Sequence, residues 1–556
     1  MMGTATSYNE TNQALVSDIA YQTFSVYADD SWKASRRLNV EYGVRFDHIG
    51  HWYDRQGNGL AVWLPALVNA DLASGKPNPG AYWHGINPGI PKSGQPDRFL
   101  LASPRFGLSY DVFGNGKTLL RGGWGIYRFT DQYNDYTSAL TTAQGLLSYS
   151  RPSGTFVQLS QTGLIPAPTG TGGVSGGINA VDPTDYGVPE SKSYNFTISQ
   201  QTPWNSLVEV AYVGNQSTQL VMGGESISGS GFQSFTDQNK VPLGAFFKPD
   251  PVTGVISPNP EKLSQGAPNN KESDYRPYGK AYSTNQINVI SNVGYSNYNG
   301  LQLSWVKRSD HLTFNFNFTW SKTLGVGQQI DPFSLRGNYG ILSIDRPHVF
   351  NSSYAYNFGR AYHGDSMLLG GISNGWTLSG ITTWQSGANL QAINSPNFGL
   401  SISVTDPITG KTHGVGSATY FGTSAGKLVM PTLTCDAGAN LKPLQRVNAS
   451  CFGVPAVGSN GPRNYPYYRM ADFFDTDLAA YKTFHITEHQ NVQFRATAFN
   501  WINHPLAQFS SGNQLALHFL DGAPNTSSNS KTLGFLDTKA GGHAARIIEL
   551  ALKYNF

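Results

Sequence analysis

The feature that most constrains this chain is a strict alternation of apolar and polar residues that recurs along its length. In segment 311–322, every second residue from Leu312 to Trp320 is apolar, and Thr or Asn fills the positions between them. Segment 37–48 repeats the pattern, with apolar side chains at every second position from Leu38 to Phe46. Successive side chains of a β-strand point to opposite faces, whereas a helix would spread both sets around its circumference. The alternation therefore predicts strands with one apolar and one polar face.

Weaker copies of the pattern bring the number of candidate strands to about thirteen. Each is close to the length of about 9 to 11 residues with which a tilted strand crosses a bilayer. The candidates are 22–32, 37–48, 103–112, 118–129, 192–201, 206–214, 298–308, 311–322, 347–358, 374–385, 473–483, 491–501 and 546–556.

The composition indicates that these strands lie in a membrane. Only 13% of the residues are charged, against about 25% in a soluble globular domain. No apolar stretch approaches the ~20 residues of a spanning helix, and the longest run, 60–68, is broken by Pro65. Hydrocarbon offers no hydrogen-bond partner to an open sheet edge, so a chain of this kind is expected to form a closed transmembrane β-barrel. The fold class predicted is all-β, a transmembrane antiparallel β-barrel.

Long and short connections alternate between the predicted strands. The long ones, expected to be irregular, are 50–102, 130–191, 215–297, 323–346, 386–472 and 502–545. The shorter ones are Phe113–Lys117, Thr202–Asn205, Ser309–Asp310, 359–373 and 484–490. Outer-membrane barrels have short periplasmic turns and long extracellular loops. We therefore expect the long connections to be extracellular and, by parity, the C-terminus to be periplasmic.

The last strand ends in an apolar face that includes the terminal residue. That face consists of Ile548, Leu550, Leu552, Tyr554 and Phe556. A terminal aromatic on an alternating strand is the usual ending of outer-membrane barrels, where it is read during assembly. These five residues are the predicted assembly signal, and the barrel-assembly machinery and outer-membrane lipid are the predicted partners.

Short motifs in this order resemble the TonB-dependent outer-membrane transporters of the Oar-like β-barrel type. The resemblance extends over almost the whole chain. Each motif alone is weak, whereas the order of the motifs is specific. The pieces are Tyr27–Trp32, Leu38–Asp47, Ser103–Gly107, Leu120–Tyr127, Val210–Gly214, Tyr298–Gln302, Thr319–Lys322, Asp345–His348, Phe494–Asn500 and Asn503–Pro505.

The resemblance implies a barrel of roughly 22 strands with a plugged lumen, a size known among outer-membrane transporters. Against that pattern the sequence has about thirteen strands, and no plug domain, signal peptide or set of N-terminal strands is recognisable. We therefore interpret residues 1–556 as the C-terminal barrel portion of a longer product. The resemblance also implies uptake of a large, scarce solute, with energy delivered through the TonB complex by way of the plug.

Two glycine-containing segments invite comparison with nucleotide-binding loops. Gly114–Thr118 ends in Gly-Lys-Thr, but a P-loop also requires glycine at the position of Asp111. A tight hairpin turn between two strands is the stronger interpretation. The tract Gly170–Gly177 lacks the strand-then-helix context of a dinucleotide fingerprint and is interpreted as a flexible extracellular loop.

Other candidate sites have structural interpretations that fit better. The pairs His48 and His51, and His485 and His489, lack the further ligands that a four-ligand metal site needs. The acids Asp472, Asp475 and Asp477 suit a polar lumen wall as well as an active site, because the last two share one strand face. We expect no catalytic residue, metal or cofactor. The net charge of only +3 gives no electrostatic footprint for nucleic acid.

The two cysteines, Cys435 and Cys451, both lie in the long connection 386–472. Two cysteines in one extracellular loop of an exported protein are a natural disulfide pair, and two free thiols are the alternative. The tryptophans Trp32, Trp320 and Trp384 lie near predicted strand ends and are interpreted as residues of the interfacial aromatic girdle.

Two other functions remain open from the residues alone. A passive porin or outer-membrane scaffold would have the same strands without energy coupling, and a plug sequence would argue against it. A secreted β-rich adhesin or glycan-binding protein would not need apolar faces on strand after strand.

Overall fold

A computed structural model provides the three-dimensional structure of the chain. The residues that it describes are 4–11, 18–132, 134, 136–143, 148–155, 177–223, 233–263, 271–327, 330–389, 400–462, 468–509, 517–524, 534–537 and 545–556.

Thirteen long strands, which we number β1 to β13, stand at the thirteen positions that the alternation predicts. They are β1 Thr23–Trp32, β2 Leu38–Ile49, β3 Leu101–Asp111, β4 Thr118–Arg128, β5 Glu190–Thr202, β6 Ser206–Met222, β7 Ile287–Arg308, β8 Leu312–Val326, β9 His348–Asn357, β10 Trp376–Gln385, β11 Phe473–His485, β12 Asn491–Phe499 and β13 Ile547–Asn555. Each pairs antiparallel with the next in sequence, so β1 to β13 form one up-and-down sheet.

The register of this sheet keeps apolar side chains on one face. Tyr42 of β2 lies opposite Phe106, which lies opposite Trp124, which lies opposite Tyr194 of β5. We call this the outer face. The adjacent row, which includes Arg105 opposite Gly125, belongs to the polar inner face. Because a slip of one residue would exchange the two faces, the continuous pairing confirms the predicted two-sided sheet.

The sheet is open between its first and last strands. Within the described residues, paired residues join β1 only to β2 and β13 only to β12. Leu552 of β13 is 74% exposed, whereas Leu303 of the central strand β7 is 44% exposed. Because twelve antiparallel pairings separate β1 from β13, the two edge strands run in the same direction. An antiparallel closure therefore needs an odd number of further strands between them.

The two ends of the sheet differ in their connections. At one end, which we call the short-turn end, the strands are joined by residues 33–37, 112–117, 203–205, 309–311, 358–375 and 486–490. At the opposite, long-loop end they are joined by 50–100, 129–189, 223–286, 327–347, 386–472 and 500–546.

Strands β6 and β7 extend much further toward the long-loop end than the alternation predicts. The sequence places residues 215–297 in a loop, but pairing continues as far as Met222 opposite Ser291. The register shifts on both sides of Leu220, and Gln219 has a φ of 57°. Such bulges break the two-residue period, and this explains why the sequence pattern does not reveal the extension.

The long-loop end is packed around hydrophobic cores, which corrects the expectation of irregular loops. Ile330, Phe421 and Phe519 come from three different connections and lie in one buried cluster. A second cluster joins Trp63, Ala180 and other residues to the first residues of β7. Among the described residues, most fully buried apolar side chains belong to this layer, because one face of the sheet is polar and the other has no protein cover.

The remaining elements are short. The strands are Thr4–Thr11 paired with Ser148–Thr155, then Ile19–Ala20, Tyr53–Asp54, Val62–Trp63, Ala81–Tyr82, Ile178–Val181, Tyr339–Ile341, Leu400–Thr405, Thr412–Val415, Thr432–Leu433, Phe452–Gly453, Leu517–Leu520 and Ala523–Pro524. The α-helices are Val68–Ala73, Thr137–Ala143, Gln233–Thr236, Pro260–Leu263, Gly279–Tyr282, Met367–Ser373 and Ser417–Phe421. The 3-10 helices are Pro65–Leu67, Ala245–Phe247, Glu272–Tyr275, Arg336–Asn338 and Ala449–Cys451. In the part of the chain that the structure describes, no helix is long and apolar enough to cross a membrane.

The glycine-containing segment Gly114–Thr118 is a hairpin turn, as predicted. Gly114 and Gly116 have φ angles of 73° and 71°, which only glycine adopts without cost. Their backbone N–H groups donate to the two carboxylate oxygens of Asp111, at 2.9 and 2.8 Å. The other glycine tract lies outside the described residues apart from Gly177.

Candidate functional site

A groove of about 650 Å³ lies on the inner face where β1 to β5 adjoin. Residues of the inner-face rows line it, including Asp29, Glu41, Arg45, Arg105 and Tyr127. Their positions follow from the register, which places residues of five strands side by side. The groove is therefore a property of the assembled sheet and of no single strand.

Glycines form the floor of the groove. Gly43 lies opposite Arg105, while Gly107 lies between Glu41 and Gly123 in the neighbouring row. A Cβ at Gly43 would come within 2.8 Å of the Asp29 Cβ, whereas one at Gly107 would have 3.7 Å to the Glu41 Cβ. Gly43 is thus needed for the close approach of β1 and β2. At Gly107 the absence of a side chain leaves open space in the groove.

Two arginines stand at the groove, each held by a neighbour. The Nε atom of Arg45 donates to Asp47 Oδ1 at 2.5 Å, and Ser103 donates to Asp47 Oδ2 at 2.9 Å. The guanidinium of Arg105 lies 4.6 Å from the ring centroid of Tyr127. Arginine presents several N–H donors in a fixed plane. The carboxylates of Asp29 and Glu41 also line the groove, so a guanidinium beside a tyrosine ring and a glycine floor suit a flat, polar solute.

The structure joins the two cysteines. Cys435 and Cys451 form a disulfide bond, with 4.8 Å between their Cα atoms and a sequence separation of 16. Cys451 is buried in the largest loop cluster, beside Phe452. The bond therefore lies within the long-loop layer, far from the inner-face groove in sequence and outside its lining.

Four of the five terminal residues proposed as the assembly signal lie on the outer face of β13, and Phe556 directly follows the strand. Leu552 pairs with Phe494, and Tyr554 pairs with Val492. The exposed fractions of Ile548, Leu550, Leu552, Tyr554 and Phe556 range from 50% to 93%. Because β13 is also an edge strand, both its side chains and its free backbone edge are accessible.

Several of the acids and histidines considered as candidate sites in the sequence have local structural partners. Asp477 accepts the backbone N–H of Asn500 at 2.9 Å, and Asp472 accepts that of Gly387 at 3.1 Å. His48 stacks on Phe24 with centroids 4.9 Å apart. Within the described residues no three His, Cys, Asp or Glu side chains are grouped so that they could hold a metal ion.

The three tryptophans assigned to the girdle all lie on the outer face. Trp32 is the last residue of β1 and is 58% exposed. Trp320 lies opposite His348, the first residue of β9, and Trp384 lies opposite Phe350. Their positions suit the boundary between hydrocarbon and headgroups.

Sequence reasoning missed a buried ion pair at the long-loop end. Asp345 and Lys322 belong to two of the motifs quoted above, and Asp345 pairs with Arg469 of a different connection. The groove was missed as well, although the glycines at inner-face positions of β2, β3 and β4 were a visible signal for it.

The family of the chain follows from its sequence. The outer membrane beta barrel domain family matches residues 1–549. No curated protein matches the chain.

Three solved structures illustrate the structural likeness. The FrpB iron transporter from Neisseria meningitidis is 10% identical with a TM-score of 0.39, over 97% of this chain and 46% of that one. The siderophore receptor PirA from Acinetobacter baumannii is 10% identical with a TM-score of 0.39, over 96% and 46%. The outer membrane transporter YddB from Escherichia coli is 8% identical with a TM-score of 0.36, over 97% and 54%. This chain thus spans about half the length of these proteins.

The family match extends over nearly the whole chain, and the thirteen-stranded sheet has the apolar outer face that a membrane-spanning wall requires. The chain belongs to the outer membrane beta barrel domain family.

Proposed function

We propose that this chain is the C-terminal wall of a barrel that takes up a large, scarce solute across the bacterial outer membrane. The observation that carries the proposal is the continuous two-faced sheet with a glycine-floored groove on its polar face. An apolar outer face suits lipid, and a polar inner face suits a lumen through which a solute passes. The role is binding and passage, without bond chemistry.

The open edges support a larger barrel. A transporter barrel of about 22 strands would need 22 − 13 = 9 strands beyond those described here. Nine is odd, as antiparallel closure between β1 and β13 requires. The further segments would also supply the plug through which the TonB complex delivers energy, and the Oar-like resemblance supports this arrangement.

The orientation we propose places the short-turn end, and with it the C-terminus, in the periplasm. Short periplasmic turns and long outer loops are the usual arrangement in such barrels. Epitope tags after Asn115 and after Gly254 in the full-length protein test it, because both sites are exposed glycine-containing turns with room for an insertion. Antibody on intact cells should bind only the tag after Gly254. Binding only the tag after Asn115 would reverse the orientation.

Solute uptake is the direct test of the function. Cells with and without the full-length protein are grown in a complex medium, and the compounds that disappear from the medium are identified by mass spectrometry. We expect depletion of at least one large solute that requires the protein and stops when a protonophore collapses the inner-membrane gradient. Depletion that is unaffected by the protonophore, together with a stable open conductance in planar bilayers, would instead identify a passive porin.

Substitutions test whether the solute passes through the groove or along another part of the inner face. Gly107→Trp fills the groove, whereas Thr313→Trp places the same side chain at an exposed position of β8 outside it. We expect Gly107→Trp to reduce the depletion strongly and Thr313→Trp to leave it unchanged, with equal folded protein in the outer membrane. Equal uptake by both variants would exclude the groove as the path of the solute.

A further inference from the structure

The connection between β9 and β10, residues 358–375, is the longest at the short-turn end. A hairpin needs only a few residues to reverse direction, so most of this segment is not required for the turn. It contains the helix Met367–Ser373, which begins after Ser366, whose side chain accepts the backbone N–H of Leu369 at 3.3 Å. The extra residues therefore form a defined element.

This helix exposes an apolar stripe. Leu368, Leu369 and Ile372 are 80%, 54% and 63% exposed. Positions i, i+1 and i+4 lie within about 100° of one another around a helix. The opposite side carries Gly370 and Ser373. Three large apolar side chains grouped on so short a helix indicate a surface that is covered by something other than water.

Two side chains from the outer face of the sheet hold the helix. Lys482 of β11 lies between Trp376 and Phe494 in an outer-face row, and its ammonium group donates to the carbonyl oxygens of Gly371 and Asn374. The Nε1 atom of Trp376 donates to the carbonyl oxygen of Ile372 at 2.7 Å. Because both anchors project from the outer face, the helix lies over that face at the short-turn rim.

The anchoring also accounts for a lysine in an apolar row. The Lys482 side chain is only 3% exposed, and the carbonyl groups at the helix C-terminus provide acceptors with the partial negative charge that a cation favours. The lysine is satisfied only while the helix stays against the sheet. The helix is thus fixed to the outer face of the sheet.

The stripe continues the membrane-facing surface of the sheet. At the same rim the outer side exposes Phe358, Phe484 and Tyr554, each between 39% and 50%. In a member of this barrel family the medium that meets the outer face is the lipid bilayer. The connection also exposes Arg360, a cation that suits anionic headgroups.

We propose that Met367–Ser373 is an interfacial helix whose apolar stripe inserts into the phospholipid leaflet at the short-turn end. Helices of this kind bury their apolar side about 5–10 Å into the boundary between headgroups and acyl chains. The helix would set the depth at which the β9–β10 and β11 part of the wall sits in that leaflet. The inference rests on family membership and on the proposed orientation, which puts the short-turn end in the periplasmic leaflet, and not on the proposed transport.

Site-directed fluorescence quenching tests the insertion in the full-length protein. Leu368→Cys and Ile372→Cys are each labelled with the fluorophore NBD, and His363→Cys, exposed in the same connection, is the matched control. The unsubstituted protein shows how much label the native cysteines take up. Each variant is reconstituted into vesicles of phosphatidylethanolamine and phosphatidylglycerol, with or without bromine atoms on one acyl chain, after heat-modifiability has verified folding.

We expect bromolipid to quench the label at positions 368 and 372 several-fold more than at 363. Quenching equal to that of the control at both positions would overturn the proposal, and either variant alone carries the test if the other fails to fold. Disulfide-linked dimers formed by unlabelled Leu368→Cys at high lipid-to-protein ratio would also overturn it, because a second copy would then cover the stripe.

Discussion

Asp345 and Arg469, 124 residues apart in sequence, form an ion pair with 2.6 Å between the carboxylate Oδ2 and the guanidinium Nη2. Asp345 is fully buried, and its Oδ1 atom accepts the backbone N–H of Thr323 at 2.7 Å. Arg469 also donates to the carbonyl oxygen of Gly387 at 3.1 Å. The pair therefore ties the connections 327–347 and 386–472 to the end of β8, at the point where the wall passes into the loop layer.

Asp345→Asn should loosen both connections. Removing one charge of a buried pair leaves the other without compensation and costs about 3 kcal/mol or more. We expect faster backbone hydrogen exchange in residues 339–347 and 468–472, measured by mass spectrometry on the full-length protein. Asp406→Asn is the control, because Asp406 is half-buried and its carboxylate accepts hydrogen bonds from Ile408 and Thr409 of its own turn. If these residues exchanged equally fast in Asp345→Asn and in Asp406→Asn, the ion pair would contribute little to the stability of the two connections.

Gly43→Ala and Gly107→Ala should differ although both glycines lie in the groove floor. The new Cβ at Gly43 would stand 2.8 Å from the Asp29 Cβ and 2.9 Å from the Ala28 carbonyl oxygen, and overpacking of this kind costs about 1–3 kcal/mol. At Gly107 the methyl group has ordinary contacts, and loss of glycine in a strand is favourable. Urea unfolding in micelles should therefore show a lower midpoint for Gly43→Ala alone; unchanged midpoints for both would contradict the geometry.

Substitutions in the terminal strand should affect the two faces differently. A cation on the lipid face costs about 2–4 kcal/mol at the bilayer midplane, while the inner face tolerates polarity. We expect Leu552→Arg to reduce the heat-modifiable folded band in outer-membrane fractions, and Lys553→Gln to leave it unchanged. Deletion of Phe556 should reduce it too, through recognition during assembly. Wild-type levels for both Leu552→Arg and the deletion would rule out the terminal-strand interpretation.

The disulfide between Cys435 and Cys451 should be present in the protein isolated from cells. Closing a loop with a sequence separation of 16 stabilises it by roughly 3 kcal/mol in the chain-entropy estimate. A non-reduced digest should contain the two peptides joined, and Cys435→Ser should raise hydrogen exchange near Phe452 without changing that of the strands. Both cysteines alkylated before reduction would refute the bond.

The connection around His51 should open more easily in acid. Burial lowers the pKa of His51, and the carboxylates of Asp97 and Asp185 oppose this shift to a smaller extent. The folded form therefore binds its proton less readily than the open form, and stability is lost as the pH falls below the ordinary His pKa of about 6.5. Exchange of residues 50–61, corrected for the intrinsic rate, should rise between about pH 7.5 and about pH 5. His51→Gln should remove that rise, and a rise that persists would assign it to other groups.

The sequence alone was enough to locate the thirteen strands and their two faces. A strand exposes alternate residues to different media, so Leu312 to Trp320 carry the signal in their own spacing and need no information from distant residues. The hairpin at Gly114 and Gly116 was predictable for the same reason, since the turn depends on a few consecutive residues. Local periodicity failed at Gln219 and Leu220, where bulges hide the continuation of β6.

Tertiary structure decided everything that depends on which strands lie side by side. Gly43, Gly107 and Gly123 form one floor only because the register brings β2, β3 and β4 into adjacent rows. The partner of Asp345 is 124 residues away, and a segment that reads as a turn holds a helix whose anchor, Lys482, belongs to another hairpin. Alternation along a strand is a short-range property of the chain, whereas these contacts depend on strand order and register, which many distant residues set together.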